Sequence, residues 1–178
     1  MVYQWKNQEA LEHLRQGLVQ AALVTREKGG SLQEARKHLE QALTLEPDSA
    51  AVGPYWALAN VYADLSAEAH QSQDFGGKAS FAKKAVAMGH KALDLNSQAP
   101  ELHATQLCVL HTSIGFAYAM LKEYKLAKEN AEKALTYGDH EKAKQILAFV
   151  ESRIRNQSDT QKDSEQPKKK GFLRRLFG

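Results

Sequence analysis

Cysteine is almost absent from this chain of 178 residues: Cys108 stands alone, so no internal disulfide framework is open to it. The opening Met-Val-Tyr-Gln-Trp lacks the basic-then-apolar order of a secretory signal. Together these absences predict a reducing, cytoplasmic setting. Long apolar runs are missing too. A spanning helix needs roughly 20 consecutive apolar residues, and no stretch approaches that, so any membrane contact is expected to be peripheral. Nor does the body carry an excess of either charge. From Gln157 to Gly178 six bases (Lys162, Lys168, Lys169, Lys170, Arg174, Arg175) stand against three acids (Asp159, Asp163, Glu165), a difference of +3 that equals the +3 of the whole chain. Residues 1–156 therefore sum to zero, which argues against a basic footprint for nucleic acid.

Catalytic constellations are lacking as well. Cys108 lies in an apolar stretch, Leu107-Cys108-Val109-Leu110, with no defined base, and reads as a buried structural thiol. His103 and His111, eight residues apart, fall about two helical turns from each other, too far for joint metal coordination without other ligands. They are expected to be ordinary surface or groove histidines. Lys28-Gly29-Gly30-Ser31 and Phe75-Gly76-Gly77-Lys78 lack the rest of a phosphate-binding loop and follow no strand; both glycine pairs are expected to break helices. No enzymatic activity, metal or cofactor is expected.

What the chain does have is self-similarity. With 43% hydrophobic residues it can build one compact domain. Ala, seven residues, Ala-Leu occurs three times: Ala35 to Ala42-Leu43, Ala85 to Ala92-Leu93, and Ala127 to Ala134-Leu135. Small residues two turns apart share a helical face and let a neighbouring helix come close. Each segment runs into a break, at Leu45-Glu46-Pro47-Asp48, Leu95-Asn96-Ser97 and Tyr137-Gly138-Asp139. Each is preceded by another apolar-periodic stretch: Trp5 to about Arg26, Tyr55 to about His70, and Leu102 to Leu121. Three antiparallel helix pairs follow. A further helix, Glu141 to about Arg155, carries Ala143, Ile146, Leu147, Val150 and Ile154 on one face and charges opposite, the pattern of a terminal cap.

Ile114-Gly115, Tyr118, Tyr124, Ala127 and Ala134-Leu135 resemble the tetratricopeptide repeat signature, with Tyr55, Leu58, Ala59 and Tyr62 as a second partial match and Glu46-Pro47-Asp48 resembling a repeat junction. The resemblance covers roughly residues 5–155 and implies an all-α solenoid of three hairpins with a capping helix. The spacings depart from it. Ala42 to Ala92 is 50 residues and Ala92 to Ala134 is 42, against a family period of about 34. Tyr62 to Ala85 spans 23 residues, about 14 more than the repeat pattern, so the second hairpin is predicted to have longer helices or a protruding loop near Gln71–Gly77. The resemblance also implies a concave groove for a protein or peptide partner. Alignment on Tyr62 and Tyr118 brings Trp56, Asn60, Thr112 and Phe116 to it, with Asn60 matching the family's backbone-holding asparagine. The family's basic carboxylate clamp is not matched, because Trp56, Val109 and Ser113 occupy its positions. Trp56 and Phe116 have a second reading, as aromatics packed between hairpins.

Residues 157–167 are polar and predicted to be a flexible linker. Residues 168–178, Lys168-Lys169-Lys170-Gly171-Phe172-Leu173-Arg174-Arg175-Leu176-Phe177-Gly178, resemble the membrane-targeting helix of the Min-system division ATPase. In a helix Phe172, Leu173, Leu176 and Phe177 form one apolar face flanked by cations, which suits an anionic membrane surface. A solvated tail, or a short nucleic-acid contact of about five phosphates, are the other readings. The chain is thus expected to be a non-enzymatic scaffold: a helical domain over 1–156, a linker, and a tail that recruits it to the inner face of a membrane. The alternative is a soluble adaptor or co-chaperone whose tail docks into a protein groove. A homo-oligomer would strengthen recruitment by multivalency.

Overall fold

The computed structural model describes residues 4–47 and 49–165, with side chains as far as residue 157. Seven helices follow one another: α1 (Gln8–Thr25), α2 (Leu32–Leu45), α3 (Val52–Gln71), α4 (Phe75–Gln98), α5 (Ala104–Met120), α6 (Tyr124–Tyr137) and α7 (Glu141–Glu165). They form three consecutive antiparallel hairpins, α1–α2, α3–α4 and α5–α6, closed by α7, so the chain is an all-α, tetratricopeptide-like helical repeat. No described helix is long and apolar enough to cross a membrane.

The three hairpin tips use one device. The second residue past α1, α3 and α5 takes a left-handed conformation, at Glu27 (φ 54°), Gln73 (φ 61°) and Lys122 (φ 65°). In each case the next amide reaches back to a carbonyl five residues earlier: Lys28 to Leu23 at 2.9 Å, Asp74 to Ala69 at 2.8 Å, Glu123 to Tyr118 at 3.0 Å. This is the Schellman ending, which satisfies the last carbonyls of a helix and reverses the chain. It is built here three times without glycine. At the second tip the Asp74 carboxylate then accepts the Gly77 N–H at 2.9 Å and caps α4. Gly76 and Gly77 thus lie in the first turn of α4 and do not break it. A Cβ on Gly77 would collide with the Asp74 carboxylate, which explains the glycine there.

The 14 additional residues of the second hairpin lengthen its helices and make no loop. Nine residues of α3 follow Tyr62, whereas two of α5 follow Tyr118; ten separate Phe75 at the start of α4 from Ala85, whereas three separate Tyr124 at the start of α6 from Ala127. The excess is seven in each helix. Seven residues are close to two whole turns, so the tip moves outward by ~10 Å while each face keeps its direction.

Packing follows the small-residue stripes. Ala35 and Ala42, Ala85 and Ala92, and Ala127 and Ala134 are all fully buried. Gly89 brings α4 against α5 so closely that a Cβ would lie 2.5 Å from Ile114 Cγ1. Leu58, Leu65, Leu110 and Ile114 are nearly inaccessible, each worth about 1.5–3 kcal/mol of burial. Across the first junction, the buried Tyr62 hydroxyl donates to the Glu40 carboxylate and its ring stacks on Phe81 at 6.2 Å. The Glu46 carboxylate of the junction accepts the Lys6 and Asn7 amides at 3.2 and 3.0 Å, fixing the entry to α1.

α7 covers the third hairpin through Ala143, Ile146 and Val150. It then continues to Glu165, nine residues into the segment read from sequence as linker. Gln157–Glu165 contains no glycine or proline, and its Gln, Lys and Glu residues are good helix formers. The predicted tail, residues 168–178, lies outside the described residues.

Candidate functional site: an open stripe on the first helices of the hairpins

Among the described residues the backbones of α1 and α3, α3 and α5, and α5 and α7 come close, while those of α2, α4 and α6 stay apart, with α2 and α4 meeting through side chains such as Lys84 and Glu40 at 3.6 Å. The layer therefore closes up on the α3–α5–α7 side, which is the concave one. Between Val52 and Ala67 every residue of α3 is buried except Gly53, Trp56, Asn60, Asp64 and Ala67. Their spacing of three and four marks one stripe on an otherwise enclosed helix. On α5 the matching stripe is Gln106, Val109, Phe116 and Met120, with Ser113, 8% exposed, between them. No charged residue occurs anywhere in α5.

Three cross-links join the stripes. The Trp56 indole N–H donates to the Gln106 carbonyl at 3.2 Å. One turn on, the Ser113 hydroxyl donates to Asn60 Oδ1 at 2.8 Å. With its oxygen engaged in this way, the Asn60 amide has its NH2 group left to give. Another turn on, Lys142 of α7 reaches over α5: its Nζ is 3.4 Å from Asp64 Oδ1 and 5.1 Å above the Phe116 ring. A ligand on this face meets aromatic surface at Trp56 and Phe116, an oriented donor at Asn60, and an ion pair at Asp64–Lys142.

Trp56, Asn60 and Phe116 therefore share the open face. Trp56 and Phe116 are half-buried and pack against the core, as the reading of aromatics between hairpins expects. Thr112 is placed elsewhere. It is 2% exposed, its hydroxyl donates to the Cys108 carbonyl at 2.8 Å, and the stripe passes through Ser113 instead. Asp64 and Lys142 were missed by sequence reasoning. Asp64 could have been found one turn beyond Asn60; Lys142 depends on how α7 folds back, for which the sequence carries no local signal.

His111 and Cys108 are enclosed in the packing. His111, expected on the surface or in the groove, is 2% exposed; its Nδ1 is 3.1 Å from Asn130 Oδ1 and its ring stacks on Tyr137 at 5.7 Å. Burial lowers its pKa below the usual histidine value, the Asn130 hydrogen bond opposes this, and Lys133 and His90 add to it. Cys108 is buried, and its thiol is pushed up by burial and then by the Asp139 charge, the opposite of an activated nucleophile. Open clefts occur on α1–α2, of about 310 Å³ and lined by Glu12, Arg15, Val19 and His38 among others, and on α6–α7 by Lys128, Glu151, Ile154 and Arg155.

No protein-family model and no curated protein matches the chain. Among solved structures, the N-terminal domain of stress-induced protein-1 (STI-1) from C. elegans is similar at 15% identity over 82% of this chain and 99% of that one, with a TM-score of 0.42. That is a distant likeness of overall fold.

Proposed function

We propose that this chain is a non-enzymatic scaffold that holds an extended segment of a protein partner along the α3–α5 stripe. The observation that carries the reading is the Asn60 amide, whose oxygen accepts from Ser113 and whose NH2 group is left to donate beside the aromatic surface of Trp56 and Phe116. An amide donor held between apolar platforms suits a peptide carbonyl, because the backbone supplies the bond and the aromatics supply the buried area. Peptide-array selection followed by calorimetry tests it. Asn60→Ala is expected to weaken a selected peptide about tenfold, equivalent to about 1.4 kcal/mol, and Ser113→Ala by less, with helicity unchanged in both. Unaltered affinity in both variants moves the interface away from this face.

The second half of the proposal is recruitment of the scaffold to an anionic membrane by Lys168, Lys169, Lys170, Phe172, Leu173, Arg174, Arg175, Leu176 and Phe177. Its support is the residue pattern alone: four large apolar side chains sharing a face, and five cations each worth roughly 1 kcal/mol near an anionic surface. Sedimentation with anionic vesicles separates this from a tail that docks into protein. Phe172→Glu with Phe177→Glu abolishes pelleting if lipid is the target, and wild-type protein that ignores such vesicles favours the protein-docking alternative.

A further inference from the structure

The stripe has a chemical character beyond its shape. Residues 38–77 contain six acids (Glu40, Glu46, Asp48, Asp64, Glu68, Asp74) and no lysine or arginine, and α5 is uncharged. The wall that α3 gives the groove is therefore acidic, through Asp64 and, one turn on, the exposed Glu68. Beside it lie Trp56, Phe116 and Met120, half-buried apolar side chains, with the Lys142 ammonium above the Phe116 ring. Lys142 is the cation that the described residues bring to this face, and its pairing with Asp64 is half-exposed on both sides, at 45% and 47%. Such a pair exchanges readily for another cation. An occupant that is basic and rich in Phe and Leu matches this surface.

The same chain carries such a segment at its end, with five cations, two Phe and two Leu between Lys168 and Phe177. α7 delivers it to the right place. Ile146 and Val150 share a cluster with Ala119 near the end of α5, so α7 passes the third tip on the side where the stripe reaches Met120. From Val150 the helix continues 15 residues to Glu165, or ~22 Å beyond the level of Ala119. Among the residues that follow, Phe172, seven past Glu165, reaches at most about 25 Å when extended, enough to return to Met120, and Phe177, twelve past it, at most about 43 Å, enough to return to Phe116. The two extra turns of α3 form a ledge along that return path. We propose that the concave stripe is the docking site of the chain's own C-terminal tail, with Phe172 and Phe177 on Met120 and Phe116 and the tail cations against Asp64 and Glu68. The tail then occupies the face read above as the partner site, and groove and lipid compete for it; tethering raises its effective concentration over any free peptide.

The test uses the full chain at low micromolar concentration, without lipid, with p-benzoyl-phenylalanine in place of Phe172. Illumination and mass spectrometry are expected to give adducts within one molecule, concentrated between Asp64 and Glu68 and between Phe116 and Met120. Asp64→Lys with Glu68→Lys should cut their yield at least fivefold, and phosphatidylcholine–phosphatidylglycerol vesicles should do the same. Adducts on α2, α4 or α6, no adducts, or a yield indifferent to charge reversal overturn the inference. So do adducts between molecules that rise with concentration, which mark a second copy as the occupant. The outcome is separable from the peptide-binding reading that it rests on. A selected peptide that binds wild type and Phe172→Glu/Phe177→Glu equally well, alongside absent adducts, sinks the inference alone; adducts as expected with no peptide ever selected sink the foreign-partner reading alone.

Discussion

The second and third hairpins share one pattern at two lengths. Tyr62 and Tyr118, Ala85 and Ala127, and the left-handed residues Gln73 and Lys122 hold matching places, yet α3–α4 stands two turns taller than α5–α6. The difference shows what a helical hairpin tolerates. Seven residues inserted into each helix, after Tyr62 in α3 and before Ala85 in α4, nearly complete whole turns, so the taller tip keeps the facing that Trp56 and Asn60 set below it. An insertion of five would have rotated the tip by about 140° and buried the wrong residues.

The comparison breaks first at the interface the two hairpins share. Ile114 is fully buried against Gly89, and Ile114→Ala is expected to cost about 2–5 kcal/mol in urea unfolding. A loss below about 1 kcal/mol would mean that the two hairpins are not packed as described. Next comes a difference in acid response. Counting from Tyr118 and Tyr62, buried His111 of the third hairpin stands where the second has buried Tyr55. The folded-state pKa of His111 lies below its ordinary 6.5, so the unfolded chain binds its proton more readily. Its contribution is complete above pH 6.5 and is lost as pH falls through the lower, folded value. Hydrogen exchange should therefore show α5–α6 losing protection on acidification before the tip of α3–α4 does. His111→Gln should remove the difference.

The tips themselves are a finer test. Gly77→Ala drives a Cβ into the Asp74 cap and should cost about 1 kcal/mol. Leu126, three residues after the uncapped Glu123 at the third tip, should accept Ala with a change under about 0.5 kcal/mol. Smallest is the gain from glycine at the left-handed positions. Gln73→Gly and Lys122→Gly should each stabilise by a few tenths to 1 kcal/mol, and by similar amounts, if one device closes both tips. Thermal melts resolve both pairs.

Much of this was legible in the sequence because it is local. Alanines eight apart announce close helix packing, and the tyrosines fix the register of α3 against α5. The division of the extra residues was not legible, since a seven-plus-seven split and a loop at Gln71–Gly77 have the same composition; the Asp74 cap decides it. The choice of Ser113 over Thr112 turns on about 100° of helix rotation, finer than an alignment through tyrosines resolves. Lys142 and the burial of His111 depend on how α6 and α7 close over α5, which is tertiary.

The lack of any charge in α5 also bears on how the molecule comes to be folded. A helix of 17 residues reading Ala-Thr-Gln-Leu-Cys-Val-Leu-His-Thr-Ser-Ile-Gly-Phe-Ala-Tyr-Ala-Met has no side that water solvates well. It is sheltered by α4 before it, α6 after it and α7 last of all. During synthesis, then, its shelter is incomplete until Val150 has left the ribosome. Until that moment the most apolar of the described helices is also their structural centre, and the hairpins upstream serve as the surface on which it waits.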